Sequence, residues 1–270
     1  MRIIPAVVAA FLAAAVLPAC DDASAPRGGF SVLSCQVDDL PGDETDQAVI
    51  ARVDGLAPQL DAFDLVALQE DFPLHARLVG QAPHLFVSRV GAGGDDPDPR
   101  GDGLHDLASF YPGHLFRIAW EDCHGEADDA DDCALPRGFT YRRLTLKMSL
   151  ALDIYQVRLD NGDQEADRQA RAAQVAQLSE FMFQNSFGNQ EEIPLLVTGL
   201  TPLDDGVDQE AWEALADRNN LTMVPLAGQG QQVWYRGNIL DMDFTAMTPP
   251  LQCASAAAFN FRWRYLPFGE

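Results

Sequence analysis

Carboxylates and histidines are the residues of this chain whose types and positions could do chemistry. Glu70 directly follows Leu65 to Gln69, a short apolar run that is typical of a buried strand. Hard divalent cations prefer carboxylate oxygens, so a carboxylate at a strand end has the chemistry that a metal site would need. The acids that could join Glu70 in a displaced metal site are Asp160, Asp163, Asp204 and Asp205. The competing interpretation is that these four are turn and surface residues, where acids are common.

The histidines are placed unevenly along the chain. All five lie in the first half of the 270 residues, and none follows His124. The general base that takes a proton from an attacking water is most often a histidine, so the second half lacks the usual side chain for this role. The sequence also has no Gly-x-Ser-x-Gly elbow, no Gly-rich phosphate loop and no Cys-x-x-Cys pair, the signatures of three other enzyme classes.

The composition argues against a nucleic-acid partner. The chain has 41 acidic and 18 basic residues, a formal net charge of -23, and Lys147 is its one lysine. Such a chain repels phosphate backbones at long range and lacks the basic stripe of a nucleic-acid-binding protein. We therefore expect no nucleic-acid partner and interpret the charge as a source of solubility.

The first twenty residues have the pattern of an export signal. Arg2 precedes an apolar run from Ile3 to Val16, which is too short to span a bilayer comfortably. The run ends in Leu17-Pro-Ala-Cys20, which resembles a bacterial lipobox, in which the cysteine is lipidated after cleavage. The alternative is an ordinary cleaved signal with an incidental cysteine. We predict a leader over 1–20, a flexible tether over 21–29, one domain over 30–270, and a lipid anchor that holds the exported protein at the bacterial cell envelope.

Export bears on the remaining cysteines, because thiols outside the cytoplasm tend to oxidise. With Cys20 assigned to the lipid, four remain, and four cysteines allow three pairings. They are Cys35, Cys123, Cys133 and Cys253.

Hydrophobic periodicity predicts many short strands and a few helices. The clearest helix is 164–185, with Val175, Leu178 and Met182 at helical spacing. Other helices are predicted from Asp43 or Thr45 to about Leu60, and over 73–79 and 209–218. Strands are predicted over 30–36, 65–69, 85–90, 104–110, 115–120, 139–147, 151–159, 195–198, 221–224, 233–235, 242–247 and 256–263. This mixture predicts a single α/β (α+β) domain built from layered sheets.

Four segments together resemble a known family. Leu60-Asp-Ala-Phe-Asp-Leu-Val-Ala-Leu-Gln-Glu70 is the most specific of them. The others are Phe30 to Gln36, Trp120 to Leu146 with Arg137-Gly-Phe-Thr-Tyr141, and Tyr155 to Leu178 with Leu159-Asp-Asn-Gly162. On these residues the chain resembles the endonuclease/exonuclease/phosphatase superfamily, on its deoxyribonuclease/sphingomyelinase-like branch. The resemblance implies a four-layered sandwich, two mostly antiparallel sheets packed face to face with helices outside.

The resemblance also implies a metal-dependent phosphodiesterase site, and most of its positions are changed here. Glu70 stands where the family has its metal-binding glutamate, which usually holds magnesium. Gln36 replaces an asparagine, and Arg158 replaces a histidine with a permanent cation that has no base function. Leu200 and Pro202 replace the polar pair of a Gly-Asp-x-Asn motif.

The last strand has lost its catalytic pair as well. Leu251-Gln-Cys-Ala254 corresponds to Leu-Ser-Asp-His, so Cys253 replaces the orienting aspartate and Ala254 replaces the general-base histidine. The resemblance therefore implies a pseudoenzyme with a binding or scaffolding role, an unidentified protein or small anionic partner and no required cofactor. The alternative is an active metal-dependent phosphodiesterase. It would use Glu70, Mg²⁺ and a displaced metal site that includes Asp160, Asp163, Asp204 and Asp205.

Two further expectations follow from the family fold. Arg158 either binds an anionic ligand in the old phosphate pocket or pairs with Glu70, and we favour the pair because the two positions converge. A disulfide between Cys123 and Cys133 would close a short loop of mutually repelling carboxylates. Cys35 and Cys253 then pair by elimination, which suits the neighbouring positions of the first and last strands in the family fold.

Overall fold

Two six-stranded sheets pack against each other, and helices cover their outer faces. The computed structural model describes residues 25–37, 47–71, 75–89, 101–125, 133, 137–160, 162, 164–188, 191–199, 207–226 and 231–266. The predicted leader, the lipobox cysteine Cys20 and residues 21–24 of the tether lie outside this set, whereas Arg27 to Gly29 of the predicted tether belong to a strand. Leu200 and Pro202 also lie outside this set, as do the acids Asp163, Asp204 and Asp205.

Each sheet is mostly antiparallel and contains one parallel pair. In spatial order the first sheet consists of β13 (Leu240–Ala246), β14 (Ser255–Tyr265), β1 (Arg27–Gln36), β2 (Leu65–Gln69), β4 (Leu104–Ala108) and β3 (Phe86–Val87). The second sheet consists of β11 (Thr222–Met223), β12 (Val233–Arg236), β10 (Leu195–Thr198), β7 (Ala151–Val157), β6 (Gly138–Thr145) and β5 (Leu115–Ala119). The parallel pairs are β1 with β2 and β7 with β10. The predicted fold class is confirmed.

The helices lie in two outer layers. They are α1 (Gln47–Leu56), α2 (His75–Gln81), α3 (Glu165–Asn185) and α4 (Val207–Asn219). One apolar core includes Val53 and Leu56 of α1 with Leu33 and Leu68 of the first sheet. Another joins Leu178 and other residues of α3 to the second sheet. Among the described residues, none of the helices has the length and hydropathy needed to cross a membrane.

The space between the sheets is apolar at one end and polar at the other. The apolar end contains Phe259 and Phe261 of β14 packed with Leu152 and Leu196 of the second sheet. At the polar end, the Gln156 amide donates to the Leu68 carbonyl oxygen over 2.6 Å. Ion pairs also link the sheets or their adjoining loops there, among them Arg142–Asp106, Arg117–Asp102 and Arg158–Glu70. Burial lowers the pKa of Arg142 to about 10.

Several element boundaries differ from the sequence prediction. The helix expected to reach Leu60 is α-helical only to Leu56 and continues as a 3-10 helix over Ala57–Ala62. Pro58 explains the change, because it has no N–H to donate and its ring clashes with an α-helical carbonyl. The strand expected over 85–90 pairs only at Phe86 and Val87. A two-stranded hairpin of β8 (Phe187–Gly188) and β9 (Glu191–Glu192) was not predicted.

Both predicted disulfides are present. Cys35 in β1 is bonded to Cys253 just before β14, across a sequence separation of 218 residues. Cys123 is bonded to Cys133 across a separation of 10 residues. The first bond joins two strands that pair along ten residues, and the second closes the acidic loop.

We expect the two disulfides to contribute unequally to stability. In the chain-entropy model, closing the longer loop stabilises the fold by about 5 kcal/mol and closing the shorter loop by about 3 kcal/mol. The double variant Cys35→Ala/Cys253→Ala should therefore lower the free energy of unfolding more than Cys123→Ala/Cys133→Ala. Urea unfolding of the two variants measures the difference, and an equal or reversed order would contradict the prediction.

Candidate functional site

The ends of five strands meet at the polar end of the sandwich. The parallel strands β1 and β2 have their C-terminal ends at the same end of the first sheet. The parallel strands β7 and β10 have theirs at the corresponding end of the second sheet. β14 runs antiparallel to β1 and so begins there. This arrangement places Gln36, Glu70, Arg158, Gly199 and Ala254 at strand ends on one side of the molecule, as the sequence comparison with the family predicts.

Glu70 is held by donors on both of its carboxylate oxygens. Arg158 donates to Oε1 from Nε over 2.8 Å and from Nη2 over 2.5 Å. The Gln36 amide donates to Oε2 over 2.6 Å. Arg137 adds a second guanidinium, whose Nη2 lies 3.8 Å from Oε1. All four side chains are buried, and Glu70 is only 4% exposed, so little solvent screens the charges.

The Glu70 backbone has the left-handed conformation, with φ of 58°. This conformation is uncommon outside glycine and costs about 1 kcal/mol or more. Its N–H donates to the Gly103 carbonyl oxygen over 2.8 Å, which ends β2 and turns the chain. The turn and the three donors together define where the carboxylate lies.

Neutral amides line the floor beside Glu70. Gln69 donates to Ser34 Oγ over 3.2 Å and accepts from Gln231 over 3.1 Å. Gly199 follows β10 with φ of 87°, and a Cβ there would lie 2.1 Å from Gln69 Nε2 and 2.8 Å from the Val157 carbonyl oxygen. Glycine is therefore required at the start of the altered Gly199-Leu-Thr-Pro202 motif, because the backbone approaches both groups too closely for a side chain.

The residues around Glu70 do not fit the Mg²⁺ that the fold family implies. A cation needs free carboxylate lone pairs, but N–H groups already occupy both oxygens, and Arg158 would repel the ion. The ion pair that the sequence analysis favours is present. The three nitrogens of the Arg158 guanidinium all donate to protein oxygens, with Nη1 bonded to the Leu159 carbonyl over 3.0 Å. This geometry gives no support to an anion site at Arg158.

Cys253 and Ala254 both lie beside the end of β1. The Ala254 N–H donates to the Gln36 carbonyl oxygen over 2.8 Å, so Ala254 adjoins the Glu70 site with only a methyl side chain. Cys253 is committed to its disulfide with Cys35. Of the displaced carboxylates, the structure describes Asp160 alone. Asp160 is buried and accepts from the His124 N–H over 2.7 Å.

A second polar cluster, Asp71–His75–His105, was not predicted from the sequence. Nδ1 of His75 lies 2.7 Å from one Asp71 carboxylate oxygen, and Nδ1 of His105 lies 2.6 Å from the other. Burial alone would raise the pKa of Asp71, but the charges and hydrogen bonds of His105 and His75 lower it to about 2. The spacing of four between Asp71 and His75 was a usable signal, but the pairing of β2 with β4 was needed to bring in His105.

The sequence comparison points to sphingomyelinases. No protein-family model matches the chain. A sphingomyelinase of Mycobacterium tuberculosis is 27% identical, over 72% of this chain and 38% of the relative. The chain thus matches well under half of that longer protein.

Comparison with solved structures agrees with the sequence comparison. Sphingomyelinase C from Streptomyces griseocarneus has a TM-score of 0.60 at 11% identity, with 88% of this chain and 99% of that chain covered. An endonuclease/exonuclease/phosphatase family protein from Bacteroides thetaiotaomicron has a TM-score of 0.59 at 14% identity, with 89% and 96% covered. Beta toxin from Staphylococcus aureus with bound magnesium ions has a TM-score of 0.56 at 11% identity, with 88% and 100% covered. The chain is therefore similar in sequence to sphingomyelinases, and it has the fold of the endonuclease/exonuclease/phosphatase superfamily.

Proposed function

We propose that this chain is an exported, lipid-anchored protein that keeps the sphingomyelinase-like fold, has lost hydrolysis, and serves in binding or scaffolding at the bacterial cell envelope. The observation that carries the proposal is the state of Glu70. Its carboxylate is buried against Arg158 and Gln36 rather than open to a cation.

The chain also lacks a second feature that phosphodiester hydrolysis requires. In-line attack of water on a phosphodiester needs a proton acceptor beside the water and stabilisation of charge around the phosphorus. Ala254 offers no acceptor, and Arg158 supplies a permanent cation already neutralised by Glu70. Loss of a general base alone costs about 10²–10⁴ in rate.

Export and anchoring rest on other features. Two disulfides support an oxidising location, since such bonds are rare in the cytoplasm. The apolar leader ending in Leu17-Pro-Ala-Cys20 supports a lipid on Cys20. A tether of no more than six residues, 21–26, would then hold the domain close to the membrane surface, where a protein or small anionic partner would meet it.

The decisive activity measurement is hydrolysis of sphingomyelin, of single- and double-stranded DNA, and of a chromogenic bis-phosphodiester. We expect no turnover above background with magnesium, manganese or calcium, because the methyl side chain of Ala254 offers no proton acceptor beside Glu70. An active sphingomyelinase assayed in parallel establishes sensitivity.

The control variants identify the source of any turnover. Glu70→Ala removes the carboxylate, and Glu213→Ala removes an exposed glutamate of α4. Turnover that is lost in Glu70→Ala and kept in Glu213→Ala would overturn the proposal. It would favour an active phosphodiesterase that uses Glu70, Mg²⁺ and displaced carboxylates.

We expect the Glu70–Arg158 pair to be strongly coupled in stability. Removing one partner leaves an uncompensated buried charge and costs about 3–5 kcal/mol, whereas removing both is often close to neutral. Glu70→Gln and Arg158→Met should each destabilise the fold, and the double variant should be less destabilised than the sum of the two. Urea unfolding in a double-mutant cycle measures the coupling. Additive single effects would mean that the pair does not account for the burial of Glu70.

The anchor is tested separately on Cys20. The wild-type protein, expressed with its leader in a bacterium, should enter the detergent-rich phase on phase separation, because an acyl chain partitions with lipid. The Cys20→Ala variant should remain in the aqueous phase. Aqueous partitioning of both proteins would refute the anchor and leave an ordinary cleaved signal.

A further inference from the structure

We infer that Asp71, His75 and His105 form a binding site for a divalent transition-metal ion of the zinc class. The three residues come from three separate elements. Asp71 follows β2, His75 is the first residue of α2, and His105 lies in β4. One ligand atom from each lies within 4.8 Å of the others. This inference does not depend on the proposed function, because it involves neither Glu70 nor Arg158.

The two imidazoles converge on a single carboxylate. Each Nδ1 contacts a different oxygen of Asp71, and the rings stack with centroids 3.7 Å apart and planes inclined by 29°. The Nδ1 edges of the two imidazole rings therefore face the same small space beside the Asp71 carboxylate. A metal ion placed there would be coordinated by one nitrogen of each ring and by an oxygen of the carboxylate.

Burial makes this convergence unusual. Asp71 and His105 are buried, whereas the His75 side chain is 12% exposed. In the part of the chain that the structure describes, Nε2 of His105 is buried and has no hydrogen-bond partner. Buried polar groups normally have partners, so hydrogen bonds alone do not account for the burial of His105. His75 supplies the route by which an ion enters.

The donor set selects the class of metal. Imidazole nitrogen suits zinc, copper, iron and nickel, whereas magnesium and calcium take oxygen ligands. Zinc binds nitrogen and oxygen at about 2.0–2.2 Å, so tetrahedral ligands lie about 3.3 Å apart. The present nitrogen–oxygen distances would have to widen by about 0.6 Å. His75, partly exposed at the start of a helix, is the side chain best placed to move.

The site lies on the opposite face of the first sheet from the Glu70 ion pair. Leu107, two residues along β4 from His105, packs in the core beneath α1 and α2, whereas Asp106 between them pairs with Arg142 of the second sheet. A bound ion would therefore fasten the start of α2 to β2 and β4. Three protein ligands also leave a coordination position for water.

Cobalt titration of the chelator-treated, disulfide-intact full chain tests the inference. Co²⁺ should bind at a ratio of 1:1 with visible absorption bands, and Zn²⁺ should displace it. His75→Ala should weaken Co²⁺ affinity by at least about 100-fold, more than the typical loss of an outer-shell partner. His114→Ala, which changes an exposed histidine, should leave the affinity unchanged.

Two outcomes overturn the site: no saturable binding by the wild-type protein, or equal affinity in His75→Ala. Circular dichroism without metal accompanies the titration and shows whether His75→Ala keeps the wild-type fold. Histidine ¹⁵N NMR of the wild-type protein gives an answer that needs no variant. Zn²⁺ should shift the Nδ1 resonances of His75 and His105 but not of His114, and an absence of these shifts would equally refute the site.

Discussion

A carboxylate buried between two sheets must be matched by positive charge or by hydrogen-bond donors, and Glu70 determines much of what surrounds it. Arg158 reaches it from the second sheet, and Gln36 reaches it from the neighbouring strand. The desolvation of such a pair offsets much of its attraction, so its main effect is on specificity of packing. The Glu70–Arg158 pair fixes the distance between the end of β7 and the end of β2. The same contact that makes this end of the sandwich well defined also removes the lone pairs that a catalytic cation would use.

The polar end of the inter-sheet space behaves differently from the apolar end. Phe259 and Phe261 contribute by area removed from water and tolerate small shifts. Arg142–Asp106, Arg158–Glu70 and the amides of Gln69 and Gln156 require matched geometry, because an unpaired buried group is costly. This end of the inter-sheet space is filled by protein contacts. A change at one of these residues is therefore expected to alter both packing and the old site.

The sequence predicts those features that depend on local pattern or on family registers. Leu65 to Gln69 predicts β2, Val175 and Leu178 predict α3, and the converging positions of Glu70 and Arg158 predict their pairing. It does not predict the 3-10 continuation after Leu56, although Pro58 was a visible signal. The Asp71–His75–His105 cluster was not predicted from the sequence, and the reason is topological. Asp71 and His105 are 34 residues apart, and only the pairing of β2 with β4 brings them together.

The order of strands in the first sheet has a consequence for how the protein is made. β1 lies between β2 and β14, so one neighbour of the first strand is the last strand of the described chain. Contacts so distant in sequence form slowly, because a very large loop must close first. During synthesis and passage through an export channel, β1 would have an open edge until β14 emerged. Cys253 immediately precedes β14, so its bond with Cys35 can form only after the other strands of the sheet have been made, and it holds the start of β14 beside the end of β1.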